Sequence, residues 1–403
     1  MKKSLLLLLV LTLAVLGTGC PAPGGGPGGS RVEQPPADGY FRWRLRENPP
    51  DLDPAEATDT TSAAVMLRVN DGLLEFDPET TQPKPSVAER YDVSDDGLTF
   101  DFYLRDDVYF HNGRKVTADD VSYSFHRTLS PDLNSERRWV LENITGAKDY
   151  SLGKASSVKG IEVVSEHHVR LRLEAPFAPF LGLLCMEAAS IIPKEVYDDP
   201  DKKYLRHPVG CGPFVFESWQ QSNYLKIKAF DKYYKGRPKI NGITFRFIEN
   251  MVTAVEEYKN GGLELVDEIP PGQRQLLTDL LGDQYKKWPQ LGVYYFAFNH
   301  ELPPFKGNKK LRQAINHAVN RDYICSRLQE GKDTPAYGVI PPGLPGHRPE
   351  STKDPYDPEK AKQLLAEAGY PGGKGFPTIT LNEHSRLTAL PLRSSKRELT
   401  VVL

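Results

Sequence analysis

Long apolar runs are almost absent from this sequence. The single one lies at the extreme N-terminus, from Leu5 to Leu16, which excludes a polytopic membrane protein. Neither sign of charge is in excess: 51 Lys and Arg face 53 Asp and Glu, for a formal charge of −2. A general nucleic-acid binder carries a basic field, and none is present. Cysteine is scarce, with four in 403 residues, and the spacings of Cys185, Cys211 and Cys325 fit no zinc pattern. Enzyme signatures are missing as well: there is no Gly-x-Ser-x-Gly elbow, no His-Glu-x-x-His and no Gly-x-x-x-x-Gly-Lys-Ser/Thr loop. The adjacent His167 and His168 sit in a strand pattern, where side chains point to opposite faces, so they read as surface histidines rather than one metal site. Asp51-x-Asp53 starts like a calcium loop, but Pro54 and the missing downstream Gly and Glu argue against one. Carboxylate pairs such as Asp106-Asp107 and Asp119-Asp120 stand at turns and helix starts, where capping accounts for them. No repeat of solenoid length stands out. No catalytic constellation survives.

What is present suits a folded, exported protein. Hydrophobic residues make up 39% and charged residues 26%, enough for a substantial core and too apolar for wholesale disorder. At about 150 residues per domain the length suggests two or three domains. Lys2 and Lys3 precede the apolar run, and Gly17-Thr18-Gly19 lead into Cys20, the layout of a signal peptide over residues 1–19. Small residues directly before a cysteine resemble a bacterial lipoprotein cleavage site, with Leu16 one place earlier than the pattern prefers. There the Cys20 thiol is lipidated. The stretch 20–39 is rich in Pro and Gly and reads as a flexible spacer holding a domain off a membrane surface. Three cysteines remain after Cys20, so at least one is free or paired between molecules. Cys185 reads as a buried small hydrophobe, and a Cys185–Cys211 disulfide stays open.

Strand and helix patterns alternate irregularly, which predicts mixed α/β architecture. Leu98, Phe100, Phe102 and Leu104 alternate with polar residues or Tyr103 after the turn Asp95-Asp96-Gly97, as in a half-buried strand. The same device recurs at Val169-Leu173, Leu225-Ala229 and Ile243-Phe247. Tyr294 to Phe298 is continuously apolar and predicts a strand buried on both faces. Thr117 with Asp120 makes a capping-box start for a helix carrying Val121, Phe125 and Leu129 on one face. Leu311, Ala314, Ile315 and Ala318 share another helical face. Asp357, Pro358 and Gly369 punctuate a third helix at both ends.

Linked motifs then point to a family. Ala88-Glu89-Arg90-Tyr91, Ser94 to Phe100, Leu104 to Gly113 and Thr117 to Val121 resemble the signature of family 5 extracellular solute-binding proteins. These are the peptide- and nickel-binding lipoproteins of ABC importers. Leu52-Asp53-Pro54-Ala55, Asp71-Gly72-Leu73, Pro208 to Phe214, Phe298-Asn299, Pro304-Phe305, Arg312 to Ala314, Ala318 to Arg321, Ile340 to Gly343 and Tyr356 to Ala361 agree in order, so the resemblance runs from about Tyr40 to Leu381. It implies a two-lobed periplasmic-binding-protein-like fold of class II type that closes by a hinge. The first lobe would span 40–290 with an inserted subdomain at about 76–185, and a partial second lobe 291–382. A tail at 383–403 has neither periodicity nor family pattern. The expectation is therefore an incomplete second lobe and a sequence truncated at its C-terminal end.

The resemblance also implies a site. Peptide-binding members satisfy a peptide's backbone with strand-like hydrogen bonds inside a cleft and leave roomy side-chain pockets. The matched positions here are Asp59 and Thr60, Arg138 and Trp139, the central loop Gly210-Cys211-Gly212, and Tyr294, Tyr295 and Asn299. Cys211 departs from the usual Thr or Ser and is a weak donor. The implied protein is a monomeric non-enzyme without cofactor or metal. Its partners are a short peptide, the permease subunits, and a membrane through lipidated Cys20. Nickel complexes, sugars or another small solute are alternative ligands; a ligand sensor, an extracytoplasmic hydrolase and a non-functional truncated product are alternative roles.

Overall fold

The computed structural model describes residues 36–270, 272–288, 292–344, 346–348, 354–381 and 397–399. The signal segment, Cys20 and nearly all of the spacer lie outside them. Two compact units divide between Pro270 and Pro271, earlier than the boundary at 290/291 expected from the sequence. The intervening helix belongs with the later unit because Arg274 and Lys287 donate to the backbone carbonyls of Glu330 and Gly331, at 2.7 and 3.0 Å.

The first unit is built on two four-stranded sheets and a separate two-stranded pair. In sequence order its elements are β1 (Tyr40–Leu45), α1 (Thr60–Val69), β2 (Leu74–Phe76), β3 (Pro83–Pro85), β4 (Ala88–Val93), β5 (Thr99–Leu104) and α2 (Ala118–Thr128). Then follow α3 (Ala147–Ser151), β6 (Ile161–Ser165), β7 (His168–Arg172), α4 (Phe180–Leu183), α5 (Lys194–Tyr197), β8 (Phe214–Gln220), β9 (Tyr224–Ala229), β10 (Gly242–Phe247) and α6 (Met251–Lys259). One sheet has the order β1-β10-β9-β8, with β1 parallel to β10 and the rest antiparallel. The other, β4-β5-β7-β6, is antiparallel throughout, and β2 and β3 pair separately.

Alternation explains both. On β1, Trp43 and Leu45 join the core with Leu225, Ile227 and Phe245, covered by Val65, Met66 and Val69 of α1. The opposite face carries arginines that find acids: Arg42 forks onto Glu264, and the buried Arg44 lies 3.3 Å from both Asp267 and Glu268. On β5, Phe100, Phe102 and Leu104 are buried as the pattern requires, packed with Val121 and Phe125 of α2. The capping box of α2 is formed by Thr117 and Asp120. His167 lies in the turn before β7 and His168 opens that strand, bonded to Asp101 at 2.6 Å and stacked on Tyr103. Both are half-buried rather than surface residues, because the hairpin folds them onto the neighbouring strand.

The second unit is mostly helical. It contains α7 (Arg274–Leu281), α8 (Lys309–Ala318), α9 (Arg321–Tyr323), α10 (Pro358–Glu367), β11 (Ile379–Leu381) and β12 (Arg397–Leu399). Leu311 and Ala314 of α8 meet Leu364 and Leu365 of α10 in a small core. Asp357 caps α10 through Lys360 N at 2.9 Å, and Gly369, at φ +100°, takes the left-handed conformation that ends it. Two expectations are corrected here. Residues 292–299 form no strand, and Tyr294, Tyr295 and Phe296 are 61%, 77% and 53% exposed. A continuously apolar run becomes a buried strand only where neighbours supply hydrogen bonds on both sides, and among the described residues none pairs with it. The tail is not wholly without structure either: β12 pairs antiparallel with β11. Three residues are too few to show a period. Cys185, Cys211 and Cys325 are all free thiols.

Candidate ligand-binding site

Helix α1 organises the site residues of the first unit. It has ten residues, so its ends lie roughly 15 Å apart at 1.5 Å per residue. Asp59 caps its N-terminus, accepting from Thr61 N at 2.9 Å and Ser62 N at 2.8 Å. Thr60 follows as an exposed first residue. The loop before them is held from below by Asp53, fully buried, whose two oxygens take a forked pair of hydrogen bonds from Arg127 of α2. A buried pair of this kind is costly to break because one charge is left uncompensated.

That loop is sewn to the second candidate loop. Ser135 donates its hydroxyl to Ala55 O, and Arg137 Nε donates to Ala57 O at 2.8 Å. The segments carrying Asp59-Thr60 and Arg138-Trp139 therefore run side by side. Arg138 turns back to Asn134 at 2.9 Å and Glu142 at 3.3 Å, while Trp139 leaves 45% of its surface exposed.

Gly210-Cys211-Gly212 stands at the other end of α1. A Cβ on Gly210 would fall 2.2 Å from Val69 O, and one on Gly212 would fall 2.7 Å from Val69 C. Both positions need glycine for close approach of the backbone to the helix end. Gly212 N donates to Val69 O at 2.9 Å. Cys211 is fully buried, its thiol facing the carbonyls of Asp71 and Ile191, and burial pushes its pKa well up. A thiol held protonated there packs; it does not attack. All three loop residues are buried, so this side chain is turned into the protein.

Three residues that sequence reasoning left out build the loop's support. His111 N donates to Gly210 O at 2.9 Å, Gly210 N donates to His111 Nδ1 at 3.3 Å, and His111 Nε2 lies 3.0 Å from Gly212 O. Only the neutral Nε2–H tautomer satisfies both ring contacts, and burial lowers the His111 pKa to about 4. Asp71 accepts from Tyr233 and Tyr234 hydroxyls at 2.9 and 2.8 Å; burial raises its pKa against the pull of Lys235 and both hydroxyls. Asn70 packs its side chain against Gly210. His111 and Asp71 stand inside recognisable motifs, but nothing in a motif says that a side chain faces inward.

Tyr294, Tyr295 and Asn299 belong to the second unit. The two tyrosines are exposed, and Asn299 Oδ1 accepts from Glu301 N at 2.9 Å. The structure thus gathers the sequence-derived residues in three places: two at opposite ends of α1 and one in the other unit.

The model of "Bacterial extracellular solute-binding proteins, family 5 Middle" matches residues 82–390. The glutathione-binding protein GsiB of Salmonella paratyphi A is 34% identical over 339 residues, covering 84% of this chain and 62% of that protein. This protein therefore spans less than two thirds of the length of that relative. An oligopeptide-binding protein from Borrelia burgdorferi superposes with a TM-score of 0.77 at 26% identity, over 84% of this chain and 68% of that one. The murein tripeptide binding protein MppA of Escherichia coli gives 0.76 at 26% identity, over 82% and 66%. With a family model matched over most of its length, and its α/β fold shared with the two-lobed oligopeptide-binding proteins, this chain belongs to the family 5 bacterial extracellular solute-binding proteins.

Proposed function

We propose that this protein captures short peptides outside the cytoplasmic membrane and delivers them to the permease of an ABC importer. The observation that carries this reading is the family match over residues 82–390 together with its relatives. One is a glutathione-binding protein, and a Bacillus subtilis AppA at TM-score 0.72 and 27% identity was solved with a nonapeptide. The exposed aromatics Trp139, Tyr294 and Tyr295 support it as apolar surfaces with polar tips. Asp59, Thr60, Arg138, Gly210, Cys211, Gly212 and Asn299 are the other residues assigned to ligand binding in this reading. Calorimetric titration of di- to pentapeptides, free amino acids, nickel and sugars tests it. Peptides binding tightest is the expected result; tighter binding of nickel or a sugar overturns it. The 34% identity with GsiB favours glutathione, a tripeptide, as one ligand to include.

The same reading holds the protein to be a non-enzymatic monomer tethered to a membrane through lipidated Cys20, a residue outside the described ones. No helix among the described residues is long and apolar enough to cross a membrane. Fractionation of cells making the intact protein and Cys20→Ala tests the anchor. Identical partition into the soluble exported fraction would sink it.

A further inference from the structure

Among the described residues, Arg68 is an arginine without an acid. It lies in the last turn of α1, and its guanidinium carbon sits 4.9 Å from the ring centroid of Trp43 on β1. The arginines flanking Trp43 on that strand show what is missing. Arg42 has Glu264, and Arg44 has Asp267, Glu268 and two carbonyls. Arg68 has neither an ion pair nor a side-chain hydrogen bond among the described residues, although it is half-buried. Beside it, the Trp43 indole N–H is buried and, among the described residues, also without an acceptor. Two neighbouring donor groups thus lack an oxygen among the described residues.

The cation is favoured by the Trp43 ring and by its place at the C-terminal end of α1. Burial pulls the Arg68 pKa down, with no charged neighbour opposing it. The Trp43 ring takes none of the guanidinium N–H groups as a conventional hydrogen-bond acceptor would, and the planar fork they form matches a carboxylate.

We propose that Arg68, stacked on Trp43, is a carboxylate-binding site of the first unit. The source is either a ligand's terminal carboxylate or an acidic side chain. This rests on the peptide reading for the identity of the ligand, but not for the chemistry of the site.

The test uses the whole protein. Tripeptides with a free C-terminus, the same peptides as C-terminal amides, and amides carrying a Glu side chain are titrated by calorimetry. Indole and arginine Nε–H signals are followed in parallel by NMR, assigned with Trp43→Phe and Arg68→Gln. Free acids are expected to bind about tenfold tighter than neutral amides, as a charge-assisted pair implies, and Arg68→Gln to remove that difference. Arg68→Lys, which keeps the charge and loses the fork, should recover only part of it. Affinity regained by the Glu-bearing amides places the source in a side chain; affinity confined to free acids places it at the terminus. Equal binding of acids and amides by the wild type overturns the proposal. If no peptide binds, the peptide reading falls, and acetate and propionate decide the site alone. Shifts of both signals in the wild type, with the indole shift lost in Arg68→Gln, support it, and no shift overturns it. Unfolding midpoints of the variants show that each is folded.

Discussion

The two units of this protein answer similar sequence patterns differently. In the first, Phe100, Phe102 and Leu104 alternate along β5 and all three are buried, because β4 and β7 pair on either side and α2 covers them. In the second, Tyr294 to Phe296 is at least as apolar in sequence, yet it forms no strand and stands exposed. Among the described residues, the core cluster of that unit comprises Leu311, Ala314, Leu364 and Leu365 with a few half-buried neighbours. Apolarity states what a segment can bury. Whether it does depends on pairing partners, which lie far away in the sequence.

The contrast can be broken most forcefully at Asp53. Asp53→Ala leaves the buried Arg127 without its carboxylate, with only the Tyr204 hydroxyl and the Tyr197 and Tyr204 rings beside it, and unfolding in urea is expected to show a loss of about 3–5 kcal/mol. A loss below about 1 kcal/mol would mean that the loop before α1 is not held by this pair. The next largest effect is a matter of pH. His111 is neutral in the fold down to about pH 4, whereas the unfolded state binds a proton near pH 6.5. Its stabilisation is therefore complete above pH 6.5 and is lost as pH falls toward 4, by about 3 kcal/mol at 1.36 kcal/mol per unit. His111→Gln keeps one donor and one acceptor but does not titrate. The wild-type stability should fall relative to this variant across that window; a constant difference refutes the assignment.

A sharper comparison comes from the small core. Leu365→Ala is expected to cost about 2–3 kcal/mol, at the low end for a leucine because few neighbours surround it. Hydrogen exchange should quicken in α8 and α10 while β5 and β7 keep their protection. Loss of protection in both places would mean that the two units unfold as one. The smallest effect belongs to Tyr295→Ala, which should leave stability within about 0.5 kcal/mol. A large destabilisation would show that the ring is buried in solution. If Tyr295 belongs to a ligand wall, peptide affinity in the same variant should fall several-fold.

Much of the first unit is legible in the sequence. The capping box at Thr117 and Asp120 and the alternation of β5, β7 and β9 follow from spacing and capping chemistry alone, as do the face of α8 and the ends of α10 in the second unit. The candidate site is legible as motifs, and much less so as geometry. Gly210 and Gly212 can be named, but not that Val69 O is the atom a side chain would strike. His111 can be quoted, but not that its ring closes on both sides of Cys211.

The division of labour has a physical cause. Local interactions within a few residues determine helix ends, turns and the face a strand presents, and these the sequence states directly. Family membership also belongs there, because several motifs in one order are a property of the sequence. Pairing of Asp53 with Arg127, of Arg44 with Asp267, and the absence of any such acid at Arg68 among the described residues join or separate residues far apart along the backbone. Only the tertiary structure decides them, since burial and charge compensation are set by which elements meet.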